Sequence, residues 1–326
     1  MKALVTGGTG FIGQNVVDLL VENGHSVRLF SRRPELPARF AGKDVTLFQG
    51  DLADPDSVLD AMGGMDVVYH IGELKNTSAR EAGKNVKLME RIIGRLGTAG
   101  VRRIVFVSSL TVAGIPETSP ADEDTPPKVV LKDHYTSYKR ECEKLLSRTV
   151  AGAEYAVVRP GFVVGPGSRP LSNLVSLIER WGAVGIPFPG KGAAIAPFVH
   201  VRGVARALYL AGVEPDAAGQ VFNLVGGMGH SWSDFLAGIA KNLGKRLRII
   251  SVPTLFLMPP SVFFDVFSGI FGVTLGASAY LRYVTTDLAF DIGKARRLLG
   301  WAPEFTLAQG VEELVREYRS FGASHP

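Results

Sequence analysis

The sequence predicts a doubly wound α/β fold, in which helices cover both faces of a parallel sheet, joined to a smaller and mostly helical second part. Three observations support this prediction. Short apolar runs alternate with longer amphipathic stretches through the first half, a glycine-rich turn follows the first apolar run, and prolines and glycines interrupt mostly helical patterns in the second half. Regular alternation of strands and helices implies βαβ units, which build a parallel sheet.

The individual elements follow from this alternation. The apolar runs predict strands at Lys2–Thr6, Ser26–Phe30, Val45–Gln49, Val67–His70, Arg103–Ser108 and Tyr155–Arg159. The amphipathic stretches predict helices at roughly Phe11–Asn23, Pro55–Met62, Lys84–Ala99 and Ser137–Thr149. Only brief strand candidates such as Val221–Val225 follow. We therefore expect residues 1–165 to form the sheet domain, residues from about 195 to 225 to cross back to it, and residues 166–326 to form mainly a substrate domain.

Length, charge and cysteine content exclude several kinds of protein. A chain of 326 residues suits one large domain and a smaller one. The net charge of +5 comes without a long basic run, which favours attraction of anionic small molecules or an anionic membrane surface over nucleic-acid binding. The single cysteine, Cys142, excludes an internal disulfide framework or thiolate metal cluster and indicates a cytoplasmic setting. We expect no metal site, and no signal peptide before the first strand.

The glycine-rich turn predicts a dinucleotide site. In Thr6–Gly13 (TGGTGFIG), the spacing of Gly7, Gly10 and Gly13 lets the chain turn sharply, approach a pyrophosphate and pack a helix on the sheet. The sheet domain is therefore predicted to be of the Rossmann type, and Asp51 at the end of the third strand can accept a hydrogen bond from adenine. The expected cofactor contacts from these strand ends are Gly7, Thr9, Gly10, Phe11, Ile12, Gly13, Asp51, Leu52, Ile71 and Gly72.

The residues after the second predicted strand favour NADP(H) over NAD(H). An acidic residue at this strand end holds the adenosine ribose in NAD-binding domains. Here Ser31, Arg32 and Arg33 follow instead, and a hydroxyl with guanidinium groups can bond a 2′-phosphate. The alternative is a pair of solvated loop arginines, with NAD(H) as the cofactor.

A tyrosine and a lysine form a candidate proton-transfer pair. Tyr135 and Lys139 lie four residues apart, on one face of a predicted helix. Interconversion of a ketone and an alcohol needs a group that exchanges a proton with the oxygen, and a nearby ammonium lowers the pKa of a phenol from its usual value of about 10. Ser109, at a neighbouring strand end, either bonds the substrate oxygen or caps a turn. Tyr138 is the competing phenol. The residue four positions after it is Cys142, which offers no charge to lower the pKa of Tyr138, so Tyr135 is the preferred candidate.

Two nearby polar residues have a simpler interpretation. His70 lies within an apolar strand, which is typical of a core histidine whose hydrogen bonds are satisfied. Glu73 follows that strand and is expected to be a solvated loop charge rather than a cofactor contact.

Taken together, these motifs resemble the extended short-chain dehydrogenase/reductase family over nearly the whole chain. The matching motifs are TGGTGFIG at 6–13, VSSLTVAG at 107–114, YTSYK at 135–139, RPGFVVGPG at 159–167, FVHV at 198–201 and FDIGKARRLLGWAP at 290–303. The resemblance implies a catalytic set of Ser109, Tyr135 and Lys139 supported by Asn85. It also implies cofactor contacts from Pro160 and Val163 as well as Tyr135 and Lys139, and a homodimer that pairs helices 84–99 and 137–149.

Departures from the family pattern bear on the substrate. Members that act on sugar nucleotides usually carry an asparagine where Phe162 stands and an arginine where Ala196 stands, and both help to hold the diphosphate. The VAG after Ser109 resembles instead the 3β-hydroxysteroid dehydrogenase and dihydroflavonol reductase-like branches. We therefore expect an NADP(H)-dependent oxidoreductase that interconverts a ketone and an alcohol on a largely apolar small molecule.

Two other function classes stay open. A sugar-nucleotide epimerase, dehydratase or reductase is the first alternative, and a non-enzymatic redox-sensing module is the second. The cations that could hold a diphosphate in the first alternative are Arg159, Arg169, Lys191 and Arg282.

Residues 252–275 are the most apolar window of the chain. A transmembrane helix is not expected, because Pro259 and Pro260 interrupt the window and Asp265 would lie unpaired in lipid. Three interpretations stay open: buried core, a hydrophobic wall of the substrate pocket, or a patch that contacts a membrane peripherally. The side chains that would form such a wall are Phe256, Leu257, Met258, Phe263, Phe264, Phe267 and Phe271.

Overall fold

The computed structural model describes residues 1–74, 78–148, 153–227, 229–270 and 277–324, with the backbone alone at 264–270 and 321–324. The strands are β1 Lys2–Thr6, β2 Ser26–Ser31, β3 Val45–Gln49, β4 Val67–His70, β5 Arg103–Val107, β6 Ile115–Pro116, β7 Pro127–Val129, β8 Glu154–Pro160, β9 Phe162–Val164, β10 Ile186–Pro189, β11 Phe198–His200, β12 Gln220–Leu224 and β13 Ile249–Val252. The helices are α1 Gly13–Glu22, α2 Pro55–Ala61, α3 Ala79–Leu96, α4 His134–Ser147, α5 Arg169–Trp181, α6 Val201–Val213, α7 Trp232–Leu243, α8 Thr254–Ile270, α9 Ala277–Thr285, α10 Gly293–Leu299 and α11 Leu307–Ser324.

A seven-stranded parallel sheet forms the centre of the molecule and confirms the predicted Rossmann-type fold. The strand order is β3-β2-β1-β4-β5-β8-β12, and each neighbouring pair is parallel. Its strands are apolar along their length because both faces are covered. Core residues of α1 and α6 pack on one face, and those of α2, α3 and α4 pack on the other. The carboxyl ends of β1, β4 and β5 therefore lie side by side, and such ends hold the ligand site in open α/β sheets.

Several helix boundaries differ from the prediction because of capping side chains. Helix α3 begins at Ala79 rather than Lys84, since the Ser78 hydroxyl accepts from the Glu81 amide at 3.3 Å. Helix α4 begins at His134 rather than Ser137, since Asp133 accepts from the Thr136 amide at 2.9 Å. The last residue predicted for this helix, Thr149, lies outside the described residues.

The second half combines helices with short strand pairs. Strand β9 pairs with β11, and β10 pairs with β13, both in parallel. Helices α5, α7 and α11 pack around a separate apolar core with β9, β10 and β11. Strand β12 returns to the main sheet beside β8. Within the residues described above, no helix is long and apolar enough to cross a membrane.

The apolar window at 252–275 is not uniformly buried core. Leu255, Phe256 and Phe263 are exposed, whereas Leu257 and Met258 are half-buried. The interpretation of this window as buried core is therefore wrong for the first turn of α8. The side chains of Phe264 and Phe267, and the whole of Phe271, lie outside the described part of the chain.

Candidate active site

The glycine loop has the close contacts that only glycine permits. Gly7 has φ +72°, and a Cβ placed on it would lie 2.5 Å from the Gly72 nitrogen. A Cβ on Gly13 would overlap the Gly7 carbonyl oxygen, to which the Gly10 amide donates at 2.9 Å. Helix α1 starts at Gly13, two residues later than predicted, and its first amides face the loop. This arrangement fits a bound pyrophosphate.

A cavity of about 780 Å³ lies beside this loop at the carboxyl ends of β1 to β4. The expected cofactor residues that line it are Gly7, Thr9, Ser31, Arg32, Arg33, Asp51, Leu52 and Gly72. Gly10 and Phe11 line a second cavity, of about 1060 Å³, which also contains Arg169. The expected contacts that lie outside the linings of these two cavities are Ile12, Gly13, Ile71, Tyr135, Lys139, Pro160 and Val163.

The loop after β2 places cationic side chains at the cavity. The Ser31 hydroxyl accepts from the Arg33 amide at 3.2 Å, which turns the chain so that both arginines border the cavity. Asp51 folds its own loop by accepting from the Ala53 amide at 3.0 Å. The glycine cradle and this polar edge together fit a nicotinamide dinucleotide.

Ser109, Tyr135 and Lys139 meet at the end of β5. The Ser109 hydroxyl oxygen accepts from the Thr111 amide at 3.2 Å and from the Thr111 hydroxyl at 3.0 Å. The Ser109 hydroxyl also lowers the pKa of the Tyr135 phenol, although burial and Glu73 raise this pKa by more. The Lys139 ammonium donates to the Val107 carbonyl at 2.8 Å. The structure thus brings the three residues together.

Glu73 joins this group. It is exposed on the loop after β4, as expected of a loop charge, but it also borders the cavity beside the glycine loop and contacts two buried side chains. Its carboxylate lies 3.3 Å from the Lys139 ammonium and accepts a hydrogen bond from the Tyr138 hydroxyl. Asn85 explains its position, because this amide accepts from the Leu74 amide at 2.8 Å and donates to the Leu74 carbonyl at 3.2 Å. Asn85 therefore acts on the loop that carries Glu73 and not on the phenol. Sequence spacing missed Glu73, because its partners are more than sixty residues away in the chain.

The electrostatics of Tyr135 differ from the expectation. Burial raises the pKa of Tyr135, the Glu73 carboxylate raises this pKa further, and the Ser109 hydrogen bond offsets the rise only in part. The Lys139 charge that was expected to lower this pKa is paired with Glu73. His70 behaves as predicted: its Nδ1 lies 2.9 Å from the Thr6 hydroxyl, and burial lowers its pKa to about 3.

Helix α9 covers the site with two tyrosines that sequence reasoning missed. Tyr283 is buried, and Tyr135 is close enough to raise its pKa beyond the effect of burial. The pKa of Tyr280 is raised to about 12 by burial and by the Asp133 carboxylate. No spacing rule connects α9 to α4, so this contact depends on the tertiary fold alone.

The two positions that depart from the sugar-nucleotide pattern are apolar in their surroundings as well. The Phe162 ring lies 5.0 Å from the Trp232 ring and 5.6 Å from the Phe198 ring, each nearly edge-on. Ala196 is buried in the same core, with Phe235 beside it. This aromatic cluster replaces the polar groups expected of a diphosphate site.

The candidate phosphate-binding cations are differently placed. Arg159 is held by Glu143 through contacts of 3.0 and 2.6 Å, and Glu143 also accepts from Ser108. Its guanidinium is therefore already paired. Lys191 and Arg282 are exposed, and Arg169 borders the second cavity.

Known proteins match this chain along nearly all of its length. It is 29% identical over 339 residues to a 3 beta-hydroxysteroid dehydrogenase/Delta 5→4-isomerase of Mycobacterium tuberculosis, covering 98% of this chain and 90% of that protein. It is 27% identical to a 4-hydroxy-2-methyl-3-oxo-4-farnesyl-3,4-dihydroquinoline-1-oxide ketoreductase of Stigmatella aurantiaca, covering 96% of each. A Thermotoga maritima UDP-glucose 4-epimerase structure shares the fold, with TM-score 0.75, 22% identity and coverage of 98% and 99%.

A family model identifies the family of this chain, because it matches the sheet domain and the segment that returns to it. The model of the NAD dependent epimerase/dehydratase family matches residues 3–225, which include the glycine loop, β5, α4 and β12. The chain belongs to this family and is an NAD(P)-dependent oxidoreductase of the extended short-chain dehydrogenase/reductase type.

Proposed function

We propose that this enzyme uses NADP(H) to interconvert a ketone and an alcohol on a largely apolar substrate, through Ser109, Tyr135 and Lys139. The observation that carries the proposal is the placement of the Lys139 ammonium, which is anchored on the Val107 carbonyl and lies 5.6 Å from the centre of the Tyr135 ring, at the end of the strand that leads to Ser109. This arrangement offers a phenol proton and a hydroxyl to one substrate oxygen, which carbonyl reduction requires.

Each residue has a distinct part in the reaction. The bound dinucleotide supplies the hydride for reduction and accepts it for oxidation. Tyr135 gives its proton to the forming alkoxide, and Ser109 holds the same oxygen by a hydrogen bond. When Tyr135 has lost its proton, the positive charge of Lys139 stabilises the resulting phenolate. This requires that Glu73 no longer neutralises the Lys139 charge. Burial under α9 keeps water from competing for that proton.

The aromatic cluster supports an apolar substrate. Phe162 and Ala196 offer no hydrogen bond to a diphosphate, and a buried phosphate without partners is costly. The names of the two relatives reported above refer to a hydroxysteroid and to a farnesyl-bearing quinoline oxide. We infer a substrate of the same broad class, a steroid-, terpenoid- or polyketide-like ketone.

The residues at the end of β2 support NADP(H). Ser31, Arg32 and Arg33 border the cavity where a carboxylate would otherwise meet the adenosine ribose. A 2′-phosphate carries negative charge that two guanidinium groups can bond in bidentate fashion.

A sugar-nucleotide epimerase is the second candidate. Arg169 favours it, because this cation borders the second cavity together with Gly10 and Phe11 of the glycine loop. The epimerase neighbour in the comparison shares the fold, and one fold hosts many substrates.

Two measurements on the same preparation separate the candidates. We expect NADPH consumption with a 3-ketosteroid and no calorimetric signal on titration with UDP-glucose. Micromolar binding of UDP-glucose that is weakened by Arg169→Ala would overturn the apolar-substrate proposal in favour of the epimerase.

A further inference from the structure

Exposed apolar side chains lie at the end of α5, in the segment after it, on β13 and in the first turn of α8. We define this apolar patch as Trp181, Val184, Ile250, Leu255 and Phe256. Leu255 is 77% exposed, Phe256 70%, Val184 64% and Trp181 55%. Large apolar side chains at this exposure, on segments that contact or follow one another, mark a candidate interaction surface.

Backbone contacts bring the two parts of the patch together. The Arg248 amide donates to the Gly182 carbonyl at 2.8 Å, which places β13 beside the end of α5. A Cβ added to Gly185 would lie 2.5 Å from the Ile250 side chain, so residue 184 is adjacent to Ile250. Helix α8 begins at Thr254, two residues after β13 ends, and continues the patch through its first turn.

The segment on the β13 side of the patch is cationic, whereas α5 carries the exposed Glu179, which accepts from the Tyr318 hydroxyl at 2.8 Å, next to Arg180 and Trp181. Residues 235–264 contain Lys241, Lys245, Arg246 and Arg248 and no aspartate or glutamate. Lys245, Arg246 and Arg248 are exposed, and the backbone contact of Arg248 places this cationic segment at the edge of the patch. Apolar side chains beside a group of cations are the combination that binds the headgroup region of an anionic bilayer.

We propose that the apolar patch and its cationic edge form a docking surface for an anionic lipid membrane, on which the enzyme rests peripherally. Trp181 and Phe256 enter the interfacial region, where aromatic side chains are favoured. Arg246 and Arg248 bond lipid phosphates. A second copy of the chain is a poorer occupant, because a symmetric contact would bring the same cations of both copies together.

The test is co-sedimentation of the intact enzyme with vesicles. Each protein sample is divided in two. One portion is mixed with vesicles of pure phosphatidylcholine, and the other with vesicles of equal parts of phosphatidylcholine and phosphatidylglycerol. We expect the wild type to pellet with the mixed vesicles and less with the neutral ones, and high salt should weaken only the anionic contribution. Wild-type protein that stays in the supernatant with both compositions overturns the proposal.

Matched variants separate the apolar from the cationic contribution. Leu255→Ser with Phe256→Ser should abolish pelleting without lowering the melting temperature, because both side chains are already solvated. Arg246→Gln with Arg248→Gln should weaken binding to mixed vesicles about thirtyfold, since each cation near an anionic surface contributes about fivefold.

The control pair is Lys43→Gln with Arg206→Gln, which removes the same net charge from the segment before β3 and from α6, and we expect it to pellet like the wild type. If the control pair lost as much vesicle binding as Arg246→Gln with Arg248→Gln, the effect would be one of net charge alone, and the proposed surface would be overturned. Sedimentation velocity gives a further check: a wild-type oligomer that the Leu255→Ser, Phe256→Ser variant loses would assign the patch to a second copy instead.

Discussion

The cofactor side and the substrate side of the cleft are built in different ways. On the cofactor side, backbone atoms of Gly7 and Gly13 and the ends of adjacent strands make the binding surface. On the proposed substrate side, the apolar clusters consist of side chains from distant segments, such as Phe162, Trp232 and Tyr283. A surface made by backbone turns tolerates few sequences, whereas a surface made by side chains can change with the substrate. The two sides should therefore respond differently to substitution.

The largest effect is expected between the two sides, at the proton-transfer step. Tyr135→Phe removes the phenol proton and should lower kcat by about a hundred- to ten-thousandfold. Because the glycine loop is untouched and Tyr135 is one of many expected cofactor contacts, the dinucleotide should still bind, with a dissociation constant that changes little in a fluorescence titration. The matched control is Tyr138→Phe, the adjacent ring, which should retain most of the activity. An inactive Tyr138→Phe beside an active Tyr135→Phe would reverse the assignment.

The cofactor side was predictable from sequence because its signals are local. The TGGTGFIG turn, the Ser31–Arg32–Arg33 run and the one-turn spacing of Tyr135 and Lys139 each lie within a few residues. Regular βαβ alternation also predicts that the strands run parallel, as they do here, whereas the strand order, with β4 beside β1, depends on the tertiary fold.

The second expected effect tests the cofactor side. Arg32→Ser with Arg33→Ser should raise the dissociation constant of NADPH about ten- to a hundredfold, because charge-assisted hydrogen bonds contribute about 1.5–3 kcal/mol. Binding of NADH should change little, since it has no 2′-phosphate. Arg39→Ser serves as the control, because this arginine pairs with Asp18. Tighter binding of NADH than of NADPH by the wild type would contradict the proposed cofactor.

The substrate side could not be predicted in the same way. Glu73, Asn85 and Lys139 come together only because α3 and α4 pack side by side. Tyr280 and Tyr283 lie close enough to Tyr135 to have their pKa values raised by it, although they follow it by more than 140 residues in the chain. Such contacts leave no periodic signal, so the sequence indicated the apolar character of this side through Phe162 and Ala196 without indicating its shape.

The third expected effect tests the substrate side. Phe162→Asn restores the polar residue of the sugar-nucleotide pattern and removes an aromatic contact of about 2 kcal/mol. We expect KM for a 3-ketosteroid to rise about tenfold with kcat nearly unchanged, because the lost contact binds ground state and transition state alike. A fall in kcat at constant KM would instead place Phe162 in the chemical step. The melting temperature of the variant controls for loss of the aromatic core.

The smallest expected effect is a change in pH dependence that links the two sides. Glu73 raises the pKa of Tyr135 and pairs with Lys139, so Glu73→Gln removes a negative charge that disfavours the phenolate. Alcohol oxidation needs the phenolate, and its rate therefore rises as the pH rises through the pKa of Tyr135. Lowering this pKa should move the rising limb of the kcat profile to lower pH, while the maximal rate stays similar. Glu81→Gln, which removes the same charge from another position at the cavity, should leave the limb in place. A limb that moves equally in both variants would mean that overall cavity charge, and not the contact with Lys139, controls Tyr135.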